Sequence, residues 1–126
     1  MNFNDIVDAN PQETYTWLVE QLRGLHLAYL HVALFGASVD YHALLRPLFD
    51  GSYLIGGGLD QRSAETLIAE GRADAVVFGS AFLANPDLPE RFRTGAELNA
   101  PDKNAFYAPG AQGYIDYPAM SPAQSA

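Results

Sequence analysis

The sequence contains no cysteine, which removes disulfides, thiolate metal sites and a cysteine nucleophile together. Basic residues are also scarce: seven lysines and arginines stand against fifteen aspartates and glutamates. The resulting formal net charge of −8 opposes a nucleic-acid or anionic-membrane partner, because the long-range field is repulsive. It leaves room for a small phosphate held by local dipoles. No apolar run is long enough to span a bilayer, and no basic stretch followed by an apolar core opens the sequence, so neither a membrane span nor a signal peptide is expected. With cysteine missing as well, a cytoplasmic protein is expected. What is present is apolar mass. At 126 residues and 48% hydrophobic content, the composition is that of one globular domain with enough material for a core.

Residues 53–80 organise that material. Tyr53-Leu54-Ile55 runs into Gly56-Gly57-Gly58, a capped amphipathic segment extends from Gln61 to Gly71, and Ala73 to Phe78 runs into Gly79-Ser80. The pattern predicts strand, helix, strand, with a bare turn at the exit of each strand. Parallel strands joined this way put both glycine turns on one edge of the sheet. Backbone N–H groups there suit a phosphate. The same glycines also serve simply to let the chain turn tightly from strand to helix.

The flanking chain continues the alternation. Asn10-Pro11-Gln12-Glu13 predicts a helix start, with Asn10 as cap, Pro11 at the first helical position and Glu13 returning a bond. Tyr15, Leu18, Val19 and Leu22 form its apolar stripe, and Gly24 stops it. Trp17 lies off the stripe. Leu27 to Val32 reads as a buried parallel strand. Tyr41, Leu44, Leu45 and Leu48 predict a short helix capped by Ser38 or Asp40 and ended or kinked by Pro47. Asp60 caps the next helix, whose buried face is Ala64, Leu67 and Ile68. Asn85-Pro86-Asp87 starts a further helix with Leu88 and Phe92 inward and Gly95 at its end. From Ala96 periodicity ceases, and the aromatics of a proline-punctuated tail suggest that it is laid over a surface; Ser121 to Ala126 is expected to fray. The fold class is therefore α/β with a parallel sheet. Three strands cannot close on themselves, so the outer strands are left with open edges.

Isolated chemistry-bearing residues have plainer readings. Asp87 and Glu90 complement a helix dipole, and Asp60 is a cap before it is a general base. Asp116, between two tyrosines, either orients a phenol or docks the tail. No His/Asp/Glu cluster has metal-ligand spacing, and no Ser/His/acid set is apparent.

Several stretches together carry a specific likeness: Leu27-Ala28-Tyr29-Leu30-His31-Val32, Gly56-Gly57-Gly58-Leu59-Asp60, Gly71-Arg72-Ala73-Asp74, Ala84-Asn85-Pro86-Asp87-Leu88, Phe106-Tyr107 and Gly113-Tyr114-Ile115-Asp116-Tyr117-Pro118. In their order and spacing, from about Phe3 to Met120, the chain resembles the C-terminal part of the Old Yellow Enzyme family, the flavin-dependent ene-reductases. The resemblance implies part of a TIM (β/α)8 barrel: about the last three βα units over residues 3–95, with a preceding helix, then a tail over residues 96–126. It implies FMN as cofactor and NAD(P)H as reductant of an activated alkene. Carried over by motif, Gly57 and Gly58 hold the FMN phosphate, Gly79 and Ser80 stand at its second contact, and Tyr114 lines the substrate side.

Two departures qualify that carry-over. Ser80 occupies the position of an arginine, whose fixed cation forks onto phosphate oxygens. Ala33-Leu34-Phe35 stands where the family has a Glu-Pro pair. The family's substrate-gripping His/Asn or His/His pair, its tyrosine proton donor and its ring-edge donors have no counterpart here. His31 and His42 do not match those motifs, and no catalytic residue is assigned. His31 is expected in the core or facing a partner. The chain by itself is thus expected to be a weak FMN binder without turnover. The alternative is a truncated, non-catalytic remnant, or half of a split or oligomeric barrel, pairing with a second copy or a separate N-terminal fragment.

Overall fold

The computed structural model describes residues 8–36 and 38–120; the fraying expected of 121–126 lies outside these residues. The chain divides into two compact units, one running to Val77 and the other from Phe78.

The first unit has the element order α1 (Pro11–Leu22), β1 (Tyr29–Ala33), α2 (Tyr41–Leu45), β2 (Ser52–Gly56), α3 (Gln61–Ala69) and β3 (Ala75–Val77). Pro47 falls in a single 3-10 turn, Arg46–Leu48, that closes α2. The strands form one parallel sheet in the order β1-β2-β3, with Ala33 opposite Gly56 and Gly56 opposite Val77. All three strands of this sheet therefore end on the same edge. On the helix-facing side Tyr53 and Ile55 are buried with Val19, Leu45, Phe49 and Ala73. Asp74 extends β3 with its side chain: its N–H donates to Tyr53 O (2.9 Å) and its carboxylate accepts from Tyr53 N–H (2.7 Å).

Four local expectations need correction. On α3 Ala64 is buried as expected, but Ile68 is exposed. Asn10 does not cap α1 with its side chain; its amide donates to Glu13 instead, while its N–H donates to Asp8 (3.0 Å). Of the α1 stripe only Val19 is buried, since Tyr15 turns edge-on to Tyr41 at 6.2 Å and Leu18 is exposed. Trp17 is 61% exposed. Finally, β1 is not a buried strand. It starts at Tyr29, lies at the sheet edge, and exposes Tyr29, His31 and Ala33 on alternate positions. A continuous apolar run has the same sequence signature whether or not a neighbour covers it. For His31 this removes the core reading.

The second unit contains α4 (Ser80–Ala84), which periodicity did not predict, then α5 (Leu88–Thr94) and a 3-10 turn at Lys103–Ala105. Gly95 ends α5 in the left-handed conformation, as expected. Asp87 does more than complement a dipole. Its carboxylate accepts from Arg91 Nε (2.7 Å) and from Met120 N–H (2.6 Å). Arg91, only 6% exposed, also donates to Glu97 O and to Pro118 O (3.0 Å). Asn85 is fully buried; it donates to Ala81 O (2.9 Å) and accepts from Asn99 N–H (2.7 Å). Asn99 in turn donates to Pro118 O (2.8 Å). The tail is thus tied to α4 and α5 by buried polar groups rather than by aromatic packing: Tyr107 and Tyr114 stand exposed.

Candidate phosphate-binding turn and helix-side cleft

The turn after β2 is shaped by what its glycines touch. Leu34 N–H donates to Gly56 O (3.1 Å), carrying the β1–β2 ladder past Ala33. Gly57 follows at φ +100°, and a side chain there would sit 2.2 Å from Leu34 O. Only glycine satisfies both the backbone and the space. Gly58, at φ +67°, has nothing within 4 Å of where a side chain would point, so its turn is open. Asp60 then closes a reciprocal capping box on α3: its carboxylate accepts from Ser63 N–H (2.8 Å), and its N–H donates to Ser63 Oγ (3.0 Å). The Ser63 hydroxyl, then the Ser63 N–H, hold the Asp60 carboxyl below its usual range. The N-terminus of α3 therefore already carries an anion, the Asp60 carboxylate.

The other candidate residues lie in the second unit. Gly79 precedes α4 with open space around its Cα, and Ser80 is the exposed first residue of that five-residue helix. Tyr114 is 69% exposed. Asp116 accepts from Gly113 N–H (2.7 Å), and Tyr117 Oη accepts from Asp102 N–H (2.7 Å), so Asp116 shapes the tail and orients no phenol in these contacts.

A cleft of about 800 Å³ opens in the first unit beside the glycine turn, with Leu34, Ile55, Leu59 and Leu67 among its apolar walls. Ile55 and Leu67 place it on the helix-facing side of the sheet. Of the sequence-predicted site residues, Gly57 lines it. Asp40 caps α2 by accepting from Ala43 N–H (3.1 Å) and pairs with Arg72, which joins the start of α2 to the end of α3. The Ala43 N–H and the Arg72 guanidinium hold the Asp40 carboxyl below its usual range.

Sequence reasoning missed a half-buried contact at the wall of this cleft, His42 Nδ1 to Tyr53 Oη at 3.1 Å, of which His42 lines the cleft. Nothing local links residues 42 and 53, and only their placement across α2 and β2 brings them together. Burial pushes the Tyr53 phenol up to about 12 and the His42 imidazole down. Both partners are therefore neutral at pH 7. The sign of the pH effect follows. The unfolded chain takes up the His42 proton before the folded chain does, so stability is complete above about pH 6.5 and falls as pH falls. Urea unfolding is expected to show stability declining as pH falls below about 6.5, and His42→Gln is expected to flatten that slope. An unchanged slope in the variant would assign the effect elsewhere.

Known proteins match this chain along nearly its whole length. No protein-family model matches it. The 12-oxophytodienoate reductase 1 of Oryza sativa subsp. japonica is 36% identical over 128 residues, covering 94% of this chain and 34% of the relative. The structure of morphinone reductase in complex with tetrahydroNAD superposes with a TM-score of 0.88 at 35% identity, covering 100% of this chain and 35% of that one. The old yellow enzyme from Trypanosoma cruzi gives a TM-score of 0.85 at 35% identity over 91% of this chain and 32% of that one. The chain spans about a third of the length of the curated relatives it matches. Its three parallel strands, their helices and its tail correspond to part of a TIM barrel, and the chain belongs to the Old Yellow Enzyme family.

Proposed function

We propose that this chain supplies the phosphate-anchoring part of an FMN-dependent NAD(P)H oxidoreductase of the ene-reductase type. The observation that carries the reading is the exit of β2. Two successive left-handed glycines stand at the C-terminal edge of a parallel sheet, in a chain whose relatives are named as 12-oxophytodienoate and morphinone reductases. Successive N–H groups in such a turn form a concave cradle for an anion. The open space at Gly58 fits a phosphate, while the close packing of Gly57 on Leu34 fixes the turn's shape.

In this reading Gly57 and Gly58 hold the phosphate. Gly79 N–H and the Ser80 hydroxyl and N–H add neutral donors where the family has a cation, and Tyr114 faces the substrate side. Bound FMN supplies hydride transfer from NAD(P)H to an activated alkene. These 126 residues hold no counterpart of the groups that fix the flavin ring, and hydride transfer depends on that positioning. They are therefore expected to bind FMN weakly and to give no turnover alone. The experiment is to incubate the purified chain with FMN, NADPH and cyclohexenone and follow NADPH absorbance. The rate is expected to equal that of free FMN, and sustained turnover above it would refute the assignment of an anchoring role alone.

A second reading, an interaction module without catalysis, is favoured by one observation: the sheet face carrying Tyr29, His31 and Ala33 is exposed, although parallel sheets are normally covered on both faces.

A further inference from the structure

We infer that His31 is a positioning residue for the glycine turn, acting through the bare face of Gly56; this rests on the phosphate-anchoring reading of that turn. Gly57 and Gly58 are favoured by their left-handed backbones, whereas Gly56, the last residue of β2, is not among the positive-φ glycines. Its φ admits any L residue. What excludes a side chain there is His31. A Cβ on Gly56 would sit 2.7 Å from His31 Nε2, while its nearest contact outside that ring, Val77 Cβ at 3.6 Å, is an ordinary one.

The register accounts for this contact. His31 stands opposite Leu54, and alternation places Leu54 and Gly56 on the sheet face opposite Tyr53 and Ile55. From that face the imidazole leans along the strands, past its own partner, to the last residue before the turn. Leu34 approaches the same glycines from the end of β1: its N–H donates to Gly56 O (3.1 Å), and its O stands against Gly57. The entry to the turn is therefore gripped twice from this side, by backbone at the edge and by a ring over the face. The grip matters because a cradle of neutral donors depends on the direction of each N–H. The proposed site has a serine, Ser80, where the family has a cation, so no fixed charge makes up for a misdirected donor.

The test is a titration of the purified, isotope-labelled chain with inorganic phosphate and with FMN, followed at the Gly57 and Gly58 amides by NMR. Circular dichroism checks folding. In the parent chain both amides are expected to shift and saturate. His31→Ala removes the ring. Gly56→Ala pushes it aside, since the far end of a side chain rotates away where a backbone does not. Each is expected to weaken the phosphate response at least about fivefold, the worth of one neutral hydrogen bond, with the dichroism spectrum retained. Combined, the two are expected to cost no more than either alone, because without the ring the added methyl meets only Val77. His31→Gln, which reaches as far without a titrating ring, is expected to keep the response, which separates packing from charge. Shifts that survive both alanine variants, losses that add in the double variant, or a loss that persists in His31→Gln would overturn the inference and leave the phosphate reading standing. No shift at either amide in the parent chain would overturn both.

Discussion

Gly57→Ala is expected to cost the first unit on the order of 3 kcal/mol or more and to leave much of it unfolded at room temperature. Two penalties coincide at this position. An L side chain at φ +100° is strained whatever surrounds it, and its Cβ would sit 2.2 Å from a backbone oxygen, Leu34 O, of a residue whose N–H is tied to Gly56 O. A flexible side chain would yield, but this ladder does not. Gly58→Ala is the internal control. Its φ of +67° costs roughly 1–2 kcal/mol, and its surroundings are empty. Urea denaturation of the two variants side by side checks the claim. Equal losses would mean that the turn relaxes and that Leu34 does not define it.

Arg91→Ala is expected to release the tail. The guanidinium is almost fully buried and satisfies three partners far apart in sequence: the Asp87 carboxylate, Glu97 O and Pro118 O. Truncation strands Glu97 O, leaves Pro118 O with Asn99 as its donor, and removes the packing of the side chain, at a cost on the order of 3 kcal/mol to the second unit. Thermal unfolding is expected to shift down by roughly 10 °C. Limited trypsin digestion is expected to cut after Lys103 faster than in the parent chain. Arg91→Lys keeps the charge but cannot reach three acceptors from one plane, so most of the loss should persist. A lysine variant as stable as the parent would reduce the junction to a simple ion pair.

The sequence revealed structure where the signal was local. The β2–α3–β3 unit was legible because glycines, the Asp60 cap and helical spacing all fall within a short window, and Gly71 and Gly95 mark real left-handed stops. The five residues of α4 are too few for a period to register. The exposed side of β1 was hidden because an apolar run does not say what covers it. The junction of Asn85, Asp87, Arg91, Asn99 and Pro118 was out of reach for a different reason: its bonds join residues up to 33 apart, as in Met120 to Asp87. The motif likeness singled out the Asn85-Pro86-Asp87-Leu88 stretch and the segment from Gly113 to Pro118. It did not reveal that the two are bound to each other through Arg91 and Asn99. At the glycine turn, residue type identified the place, whereas its division of labour, with Gly57 packed and Gly58 open, required coordinates.

The comparison of FMN with riboflavin on the purified chain bears most directly on whether the β2 exit holds a phosphate. The two ligands share a ring and differ in the anionic end, so thermal-shift titration isolates the group the turn is proposed to receive. FMN and inorganic phosphate are expected to raise the midpoint and riboflavin is not. Gly58→Asp, whose side chain tolerates the left-handed backbone and places a carboxylate in the open space, is expected to abolish the FMN response while leaving the chain folded. A response equal for FMN and riboflavin, or one that survives Gly58→Asp, would contradict phosphate binding at this turn.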